Sequence, residues 1–172
     1  MAGEAATAGI PMKTTYIGAV QSGDHDGEQV TLKGWVKRSR GNNNLRFIVL
    51  RDSTGTIQCV VKRDAVGDDA FTALSEALIE SSLELVGEVK VDERAQGGHE
   101  IGVSAGHVVG GVNPDRPFPI TESAMTAADG GETEFLLDHR HLYLRTSRMT
   151  TMLQIRSSVF GAIHGYFRDL DF

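Results

Sequence analysis

Lys33-Gly34-Trp35-Val36-Lys37-Arg38-Ser39-Arg40, then Arg46-Phe47-Ile48-Val49-Leu50-Arg51-Asp52, then Gly55-Thr56-Ile57-Gln58, is the stretch that decides the fold. Its β-branched and aromatic runs are separated by Gly41-Asn42-Asn43-Asn44 and by Asp52-Ser53-Thr54-Gly55. That pattern predicts three successive strands joined by tight turns. Gly34 inside the first run marks a bend or bulge of the kind a small barrel needs to close. Gly55 is free to take a positive φ in the second turn. Side chains alternate along a strand, so Ile48 and Leu50 share one face while Phe47, Val49 and Arg51 share the other. In the third strand Ile57, Cys59 and Val61 share a face, and Gln58 and Lys62 the opposite one. With the purely apolar faces turned to a core, Phe47, Arg51, Gln58 and Lys62 point outward. A phenylalanine among Arg, Gln and Lys is what a stacking platform requires. Cations for phosphates, a ring for stacking and an amide for base edges are the equipment for gripping an unpaired strand of nucleic acid. The plainer alternatives are a solvated strand face and a Phe47 packed beneath the Asn-rich loop.

Outward from that stretch, Asp68 is expected to cap a short helix through about Leu78, with Phe71, Leu74 and Leu78 on one face. Ser82 to Glu93 alternates as a fourth strand, with Leu83, Leu85, Val89 and Val91 on one side. Gln96-Gly97-Gly98 is a turn, and His99 to Val109 a fifth strand. Three strands, a helix and two more strands is the order of the OB-fold, a Greek-key barrel that binds oligonucleotides on one face. The predicted class is therefore mainly β: a five-stranded OB-fold barrel with one short helix, then a linker and a long C-terminal amphipathic helix. The linker is punctuated by Pro114, Pro117, Pro119 and Gly130-Gly131. The helix is expected from about Met149 to Phe167, with Met152, Ile155, Val159, Ile163 and Phe167 on one stripe. A partner subunit, or further sequence, is expected to cover that stripe. The predicted organisation is a disordered leader (1–13), the barrel (14–112), a hinge (113–134) and the start of a second domain (135–172).

Composition narrows the function classes. The chain has 172 residues and a formal net charge of −6, which taken alone argues against a polyanionic partner. Between Val30 and Arg63, however, eight basic residues stand against Asp52 alone. A basic stripe on an acidic body attracts a polyanion locally, and the local field matters more than the net charge. No apolar run approaches the ~20 residues of a membrane span. The single cysteine, Cys59, excludes an internal disulfide and fits a reducing cytoplasm. It reads as a small buried hydrophobe.

Three motifs resemble the class IIb aminoacyl-tRNA synthetases, the subclass of aspartyl, asparaginyl and lysyl enzymes. They are Gly34-Trp35-Val36 with Arg40, Phe47-x-x-Leu50-Arg51-Asp52-x-x-Gly55-x-x-Gln58, and Leu137-Asp138-His139-Arg140-His141-Leu142-Tyr143-Leu144-Arg145. The His141-Leu142-Tyr143-Leu144-Arg145 run is more similar to the asparaginyl members. The resemblance spans Thr14 to Phe172: anticodon-binding domain, hinge, and the opening of the catalytic domain. It implies that Phe47 stacks on the central uridine of the anticodon and that Gln58 hydrogen-bonds a base edge. It implies that Arg38 and Arg40 contact anticodon bases or phosphates. An acidic residue near the last strand completes the family's set, with Glu100 the nearest candidate and Gly102 the competing register.

The helix from Met149 resembles motif 1, the family's dimer-interface helix. Motifs 2 and 3, whose arginines bind ATP, do not occur in the sequence, so this chain is expected not to aminoacylate alone. The resemblance assigns ATP and Mg to the complete enzyme, no cofactor to this chain, and no catalytic residue within it. The implied partners are a tRNA, through the anticodon loop of the asparagine acceptor, and a second copy in the complete enzyme, in the cytoplasm, with neither membrane nor DNA. His139-x-His141 is not read as a metal pair, because two ligands without a Cys or carboxylate constellation do not make a site. Three alternatives stay open: an aspartyl or non-discriminating enzyme, a stand-alone single-strand RNA binder, and an interaction module with the barrel as scaffold.

Overall fold

The computed structural model describes residues 14–95, 97–120 and 131–172; the expected leader lies outside them. The chain divides into two compact units, Met1–Phe118 and Pro119–Phe172. In the first, a short helix α1 (Ile17–Gln21) precedes β1 (Gln29–Gly41), β2 (Leu45–Arg51) and β3 (Thr56–Lys62). Two helices, α2 (Arg63–Val66) and α3 (Asp68–Glu76), lead into β4 (Ser82–Val91) and β5 (His99–Gly110). The strands close a barrel in the order β1-β2-β3-β5-β4. All neighbours are antiparallel except β3 and β5, which run parallel.

The alternation read from the sequence is what fills this barrel. Ile48, Leu50, Ile57, Cys59 and Val61 are buried, and their outward neighbours are half-exposed. Leu83, Leu85 and Val89 complete the inner layer from β4, while Val91 is exposed. β1 is long because it serves two partners: its first half pairs with β4 and its second with β2. Gly34 stands at the crossover. A Cβ there would lie 2.4 Å from the Arg51 carbonyl oxygen, so close backbone approach explains the glycine. The bulge itself falls at Lys37, where the β1–β2 register shifts between Val36 and Arg38.

The barrel's two ends are plugged by helices. α1 buries Ile17 and Val20 and is tied to the β2–β3 turn, Ile17 N donating to Asp52 Oδ2 (2.8 Å) and Gly18 N to Thr54 Oγ1 (2.8 Å). In that turn Asp52 Oδ1 accepts from Thr54 N and Gly55 N, at 2.7 and 2.9 Å. Gly55 does not use its freedom to take a positive φ; its place is close packing instead, since a Cβ would meet Gln21 Oε1 at 3.0 Å. α3 buries Phe71 and Leu74 at the other end. It stops at Glu76 because Ala77 turns extended (ψ 117°), so Leu78 lies beyond the helix and is exposed. Asp68 sits in the first turn rather than at the N-cap, which is Gly67.

In the second unit α4 (Gly131–Asp138) and α5 (Arg140–Tyr143) precede α6 (Ser147–Asp169). Thr146 caps α6, its side chain accepting from Met149 N at 3.4 Å. Met152, Ile155, Val159, Ile163 and Phe167 are all exposed. So are Leu153, Phe160 and Tyr166, and the apolar surface of α6 is therefore broader than the single stripe expected. Among the described residues no helix is long and apolar enough to cross a membrane.

Candidate nucleic-acid interface

The bulge at Lys37 sets the geometry of the outer face. It adds one residue to β1, so Trp35, Arg38 and Arg40 pair with Arg51, Val49 and Phe47 of β2. The β2–β3 and β3–β5 registers extend these pairs across the sheet. One row runs Arg40, Phe47, Val60, Gly102; the next, two residues along, runs Arg38, Val49, Gln58, Glu100. Rows two residues apart are separated by about 7 Å. All five side chains singled out in the sequence, Arg38, Arg40, Phe47, Gln58 and Glu100, thus belong to two adjacent rows on one face. The Arg40 guanidinium lies over the Phe47 ring, 5.4 Å from its centroid. Gln58 Nε2 donates to Glu100 Oε2 at 3.3 Å. Glu100, not Gly102, is the residue beside Gln58. Gly102 lies beside Val60, with the Lys90 chain where a side chain would be, its Cε 3.0 Å from an ideal Cβ.

The basic stripe divides into structural and outward-facing members. Lys33 pairs with Glu84 at 3.0 Å, and Arg51 with the nearly buried Glu80 at 2.9 Å. Arg46 shares parity with Ile48 and Leu50, and its Nη2 donates to the Ser75 carbonyl at 3.2 Å, against α3. Arg63 binds the Asn43 carbonyl (2.6 Å) and Asp68 (2.8 Å), and its guanidinium sits 4.4 Å from the Phe71 centroid. These four hold the barrel and its caps together. Arg38 and Arg40 are exposed on β1, beside the β2 strand of Phe47, and Lys62 is exposed on β3 with Gln58, and they concentrate positive charge there. The face presents a cationic rim, a ring that can stack, and a hydrogen-bonding pair between strands.

Electrostatics link the face to the core beneath it. Cys59, next to Gln58 and fully buried, has its thiol pushed up to about 12, first by burial and second by the charge of Glu100. It is a packed side chain and not a nucleophile. At the β4–β5 turn, hydrogen bonds from Arg94 hold the Asp92 carboxyl below its ordinary value. Sequence reasoning missed Glu80 and Lys90. Glu80 stands in a loop with φ 72°, and only the fold brings it to Arg51. Lys90 is placed by the β4–β5 register opposite Glu100, which strand alternation alone does not reveal. His139 and His141 stack with ring centroids 6.4 Å apart, and His139 Nδ1 donates to the Phe135 carbonyl at 2.9 Å. Among the described residues no group of three or more His, Cys, Asp or Glu comes together to hold a metal.

A closed five-stranded barrel of this order with a cationic, aromatic outer face defines an OB-fold nucleic acid binding domain, and residues 30–109 match the family model of that description. That family model is the tRNA anticodon-binding one, and its match covers the barrel strands, residues 30–109. Similar curated proteins include asparagine–tRNA ligases. That of Thermoplasma acidophilum is 38% identical over 151 residues, 88% of this chain and 33% of its own length. That of Sorangium cellulosum is 37% identical over 143 residues, 83% of this chain and 30% of its own. The chain therefore spans about a third of the length of the curated relatives it matches. Among solved structures, asparaginyl-tRNA synthetase from Pyrococcus horikoshii, complexed with asparaginyl-adenylate, is 34% identical with a TM-score of 0.78. The match covers 90% of this chain and 34% of that one. Aspartyl tRNA synthetase from Entamoeba histolytica shares the fold, with a TM-score of 0.75 at 21% identity over all of this chain and 40% of that one.

Proposed function

We propose that this chain reads the anticodon loop of a tRNA, that of asparagine, as the N-terminal part of an asparagine–tRNA ligase. The observation that carries the reading is the pair of adjacent rows on the outer face, with Arg40 over Phe47 in one and Gln58 against Glu100 in the other. Phe47 stacks on the central uridine. Gln58 and Glu100 serve a base edge, and Arg38 and Arg40 hold bases or phosphates. Single-stranded loop bases expose the edges that such groups recognise. A stacked base is worth ~1–3 kcal/mol, so a few contacts of this kind separate one tRNA from another.

The reaction of the whole enzyme is the ATP-dependent attachment of asparagine to its tRNA. When bound, ATP with Mg supplies the activation of asparagine. No step of that activation is assigned to the residues described here. Homodimerisation through the exposed apolar surface of α6, and a cytoplasmic setting, belong to the same proposal.

The test is titration of a fluorescent anticodon stem-loop carrying GUU against a hairpin of the same length with a scrambled loop. The expected result is tighter binding of the GUU loop. Equal affinity for both refutes the reading and points to a general single-strand binder. Phe47→Ala that leaves all RNA binding intact favours the barrel as a scaffold for interaction.

A further inference from the structure

One more row of the outer face lies beyond Phe47, on the side away from Gln58. In it Leu45 of β2 pairs with Lys62 of β3, two residues along each strand from Phe47 and Val60 and hence about 7 Å on. That row opens into a cavity of about 650 Å³ between the β1–β2 turn and the start of α2 and α3. Sites for small organic ligands measure roughly 300–1,000 Å³. Arg63 builds the walls: its backbone N donates to the Asn44 carbonyl at 3.0 Å, its Nε to the Asn43 carbonyl at 2.6 Å and its Nη1 to Asp68 Oδ1 at 2.8 Å. The turn and the helices are thereby tied together. Three polar side chains of the lining stay uncommitted. Among the described residues, Asn44, Lys62 and Asp64 make no side-chain hydrogen bond or ion pair. All three are exposed, and Leu45 is half-buried.

A free cation, a free carboxylate and a free amide around an apolar side chain ask for a ligand with an anion, a hydroxyl and a ring. A ribonucleotide has all three. Its phosphate suits Lys62. An ionised carboxylate only accepts hydrogen bonds, so Asp64 repels a phosphate but receives a hydroxyl proton. The ribose 2′-hydroxyl is the donor that RNA has and DNA lacks. The Asn44 amide both donates and accepts, and so can meet a base edge of either polarity.

We infer that this cavity is a ribose-reading subsite: it takes the nucleotide next to the one stacked on Phe47, with Lys62 on its phosphate and the Asp64 carboxylate accepting from its 2′-hydroxyl. The inference rests on the anticodon reading above and adds selection of RNA over DNA. Stacking on Phe47 and the charge of Arg40 act on either nucleic acid and do not supply it.

The experiment measures binding of GUU anticodon stem-loops by fluorescence anisotropy, with a single 2′-deoxy nucleotide placed at each loop position in turn. Wild-type protein is expected to lose about tenfold in affinity at one of the two neighbours of the central uridine, the effect of removing a hydrogen bond to a charged acceptor. In Asp64→Ala the all-ribose loop and that deoxy loop are expected to bind within about twofold of each other, because the acceptor is gone. Lys62→Gln is expected to weaken both loops alike and to lower the salt slope by about one contact, leaving the ribose-to-deoxy ratio unchanged. Asp64 and Lys62 are both exposed, so neither change empties the core. A general effect of charge at Asp64 would act on both loops and leave their ratio as it was.

The inference is overturned if Asp64→Ala keeps the wild-type deoxy penalty, or if the penalty falls only at loop positions that do not adjoin the central uridine. Competition by free uridine 5′-monophosphate with no deoxy penalty in the loop also overturns it, and shows a mononucleotide site instead. Wild-type protein that binds GUU loops no better than scrambled RNA fails the anticodon reading itself, and this inference with it. Wild-type protein that prefers GUU to scrambled loops yet ignores every 2′-deoxy change fails this inference alone.

Discussion

Two phenylalanines, each beneath an arginine, make a matched experiment. Phe47 is half-exposed on the outer face with Arg40 5.4 Å from its ring centroid; Phe71 is 1% exposed, with Arg63 at 4.4 Å. Phe47→Ala removes the stacking surface, worth ~1–3 kcal/mol per base. At about 1.4 kcal/mol per tenfold, affinity for the GUU stem-loop should fall by roughly 5- to 150-fold. The fold should lose little, because Phe47 leaves no internal cavity and its contact with Arg40 is worth about 0.5–1 kcal/mol at an exposed site. Phe71→Ala empties a core position and should cost ~3–5 kcal/mol of stability. The fraction that remains folded should bind RNA as before. Fluorescence anisotropy gives the affinities and urea unfolding followed by circular dichroism gives the stabilities. A Phe47→Ala protein that binds the loop as tightly as wild type refutes the stacking role. One destabilised as much as Phe71→Ala shows that Phe47 is a packing residue.

Arg40→Gln should weaken tRNA binding and reduce the slope of log K against log salt by about one contact's worth, whereas Arg63→Gln should leave the slope unchanged while lowering stability. Gly87→Ala would put a Cβ 2.5 Å from the Gly102 carbonyl oxygen, between two strands that cannot part, and should destabilise the barrel by about 1–3 kcal/mol in urea titration. The Cys59 thiol is neutral in the folded barrel and ionises more readily once unfolded, so its contribution is fully present below about pH 8.5 and is lost as pH rises toward 12. The stability gap between wild type and Cys59→Val should therefore move against wild type across that window, and a pH-independent gap would contradict it. Native protein should also resist thiol reagents that label the unfolded chain readily.

The barrel was legible where side chains alternate on a half-buried sheet. Ile48 with Leu50, and Ile57 with Cys59 and Val61, announce the inner face by parity, and Phe47 and Gln58 become outer residues by the same rule. Arg46 shares its parity with Ile48, and that signal already sets it apart from Arg38 and Arg40; counting charge alone conceals it. The place of Arg38 and Arg40 was not readable from parity, since an unbroken alternation from Trp35 would send both inward. The bulge at Lys37 turns them out, and a bulge is decided by strand pairing rather than by local sequence. The short helix α1 escaped notice because five residues carry too little periodicity, and its stability comes from docking on Asp52 and Thr54. The pairing of Gln58 with Glu100 lies across 42 residues and depends on the parallel register of β3 and β5.

That parallel seam has a kinetic consequence. β3 and β5 meet only after the chain has passed through α2, α3 and the whole of β4, so the seam carries some of the longest loop closures in the barrel. Such contacts must recover a large entropy of closure before they stabilise anything, and they slow folding. The two halves of the Gln58–Glu100 pair are thus supplied by segments made at different times during synthesis. The nascent domain has its hairpin ring and cations before it has its carboxylate. Recognition is accordingly expected to switch on as a late step, together with ring closure, and not to grow gradually with chain length.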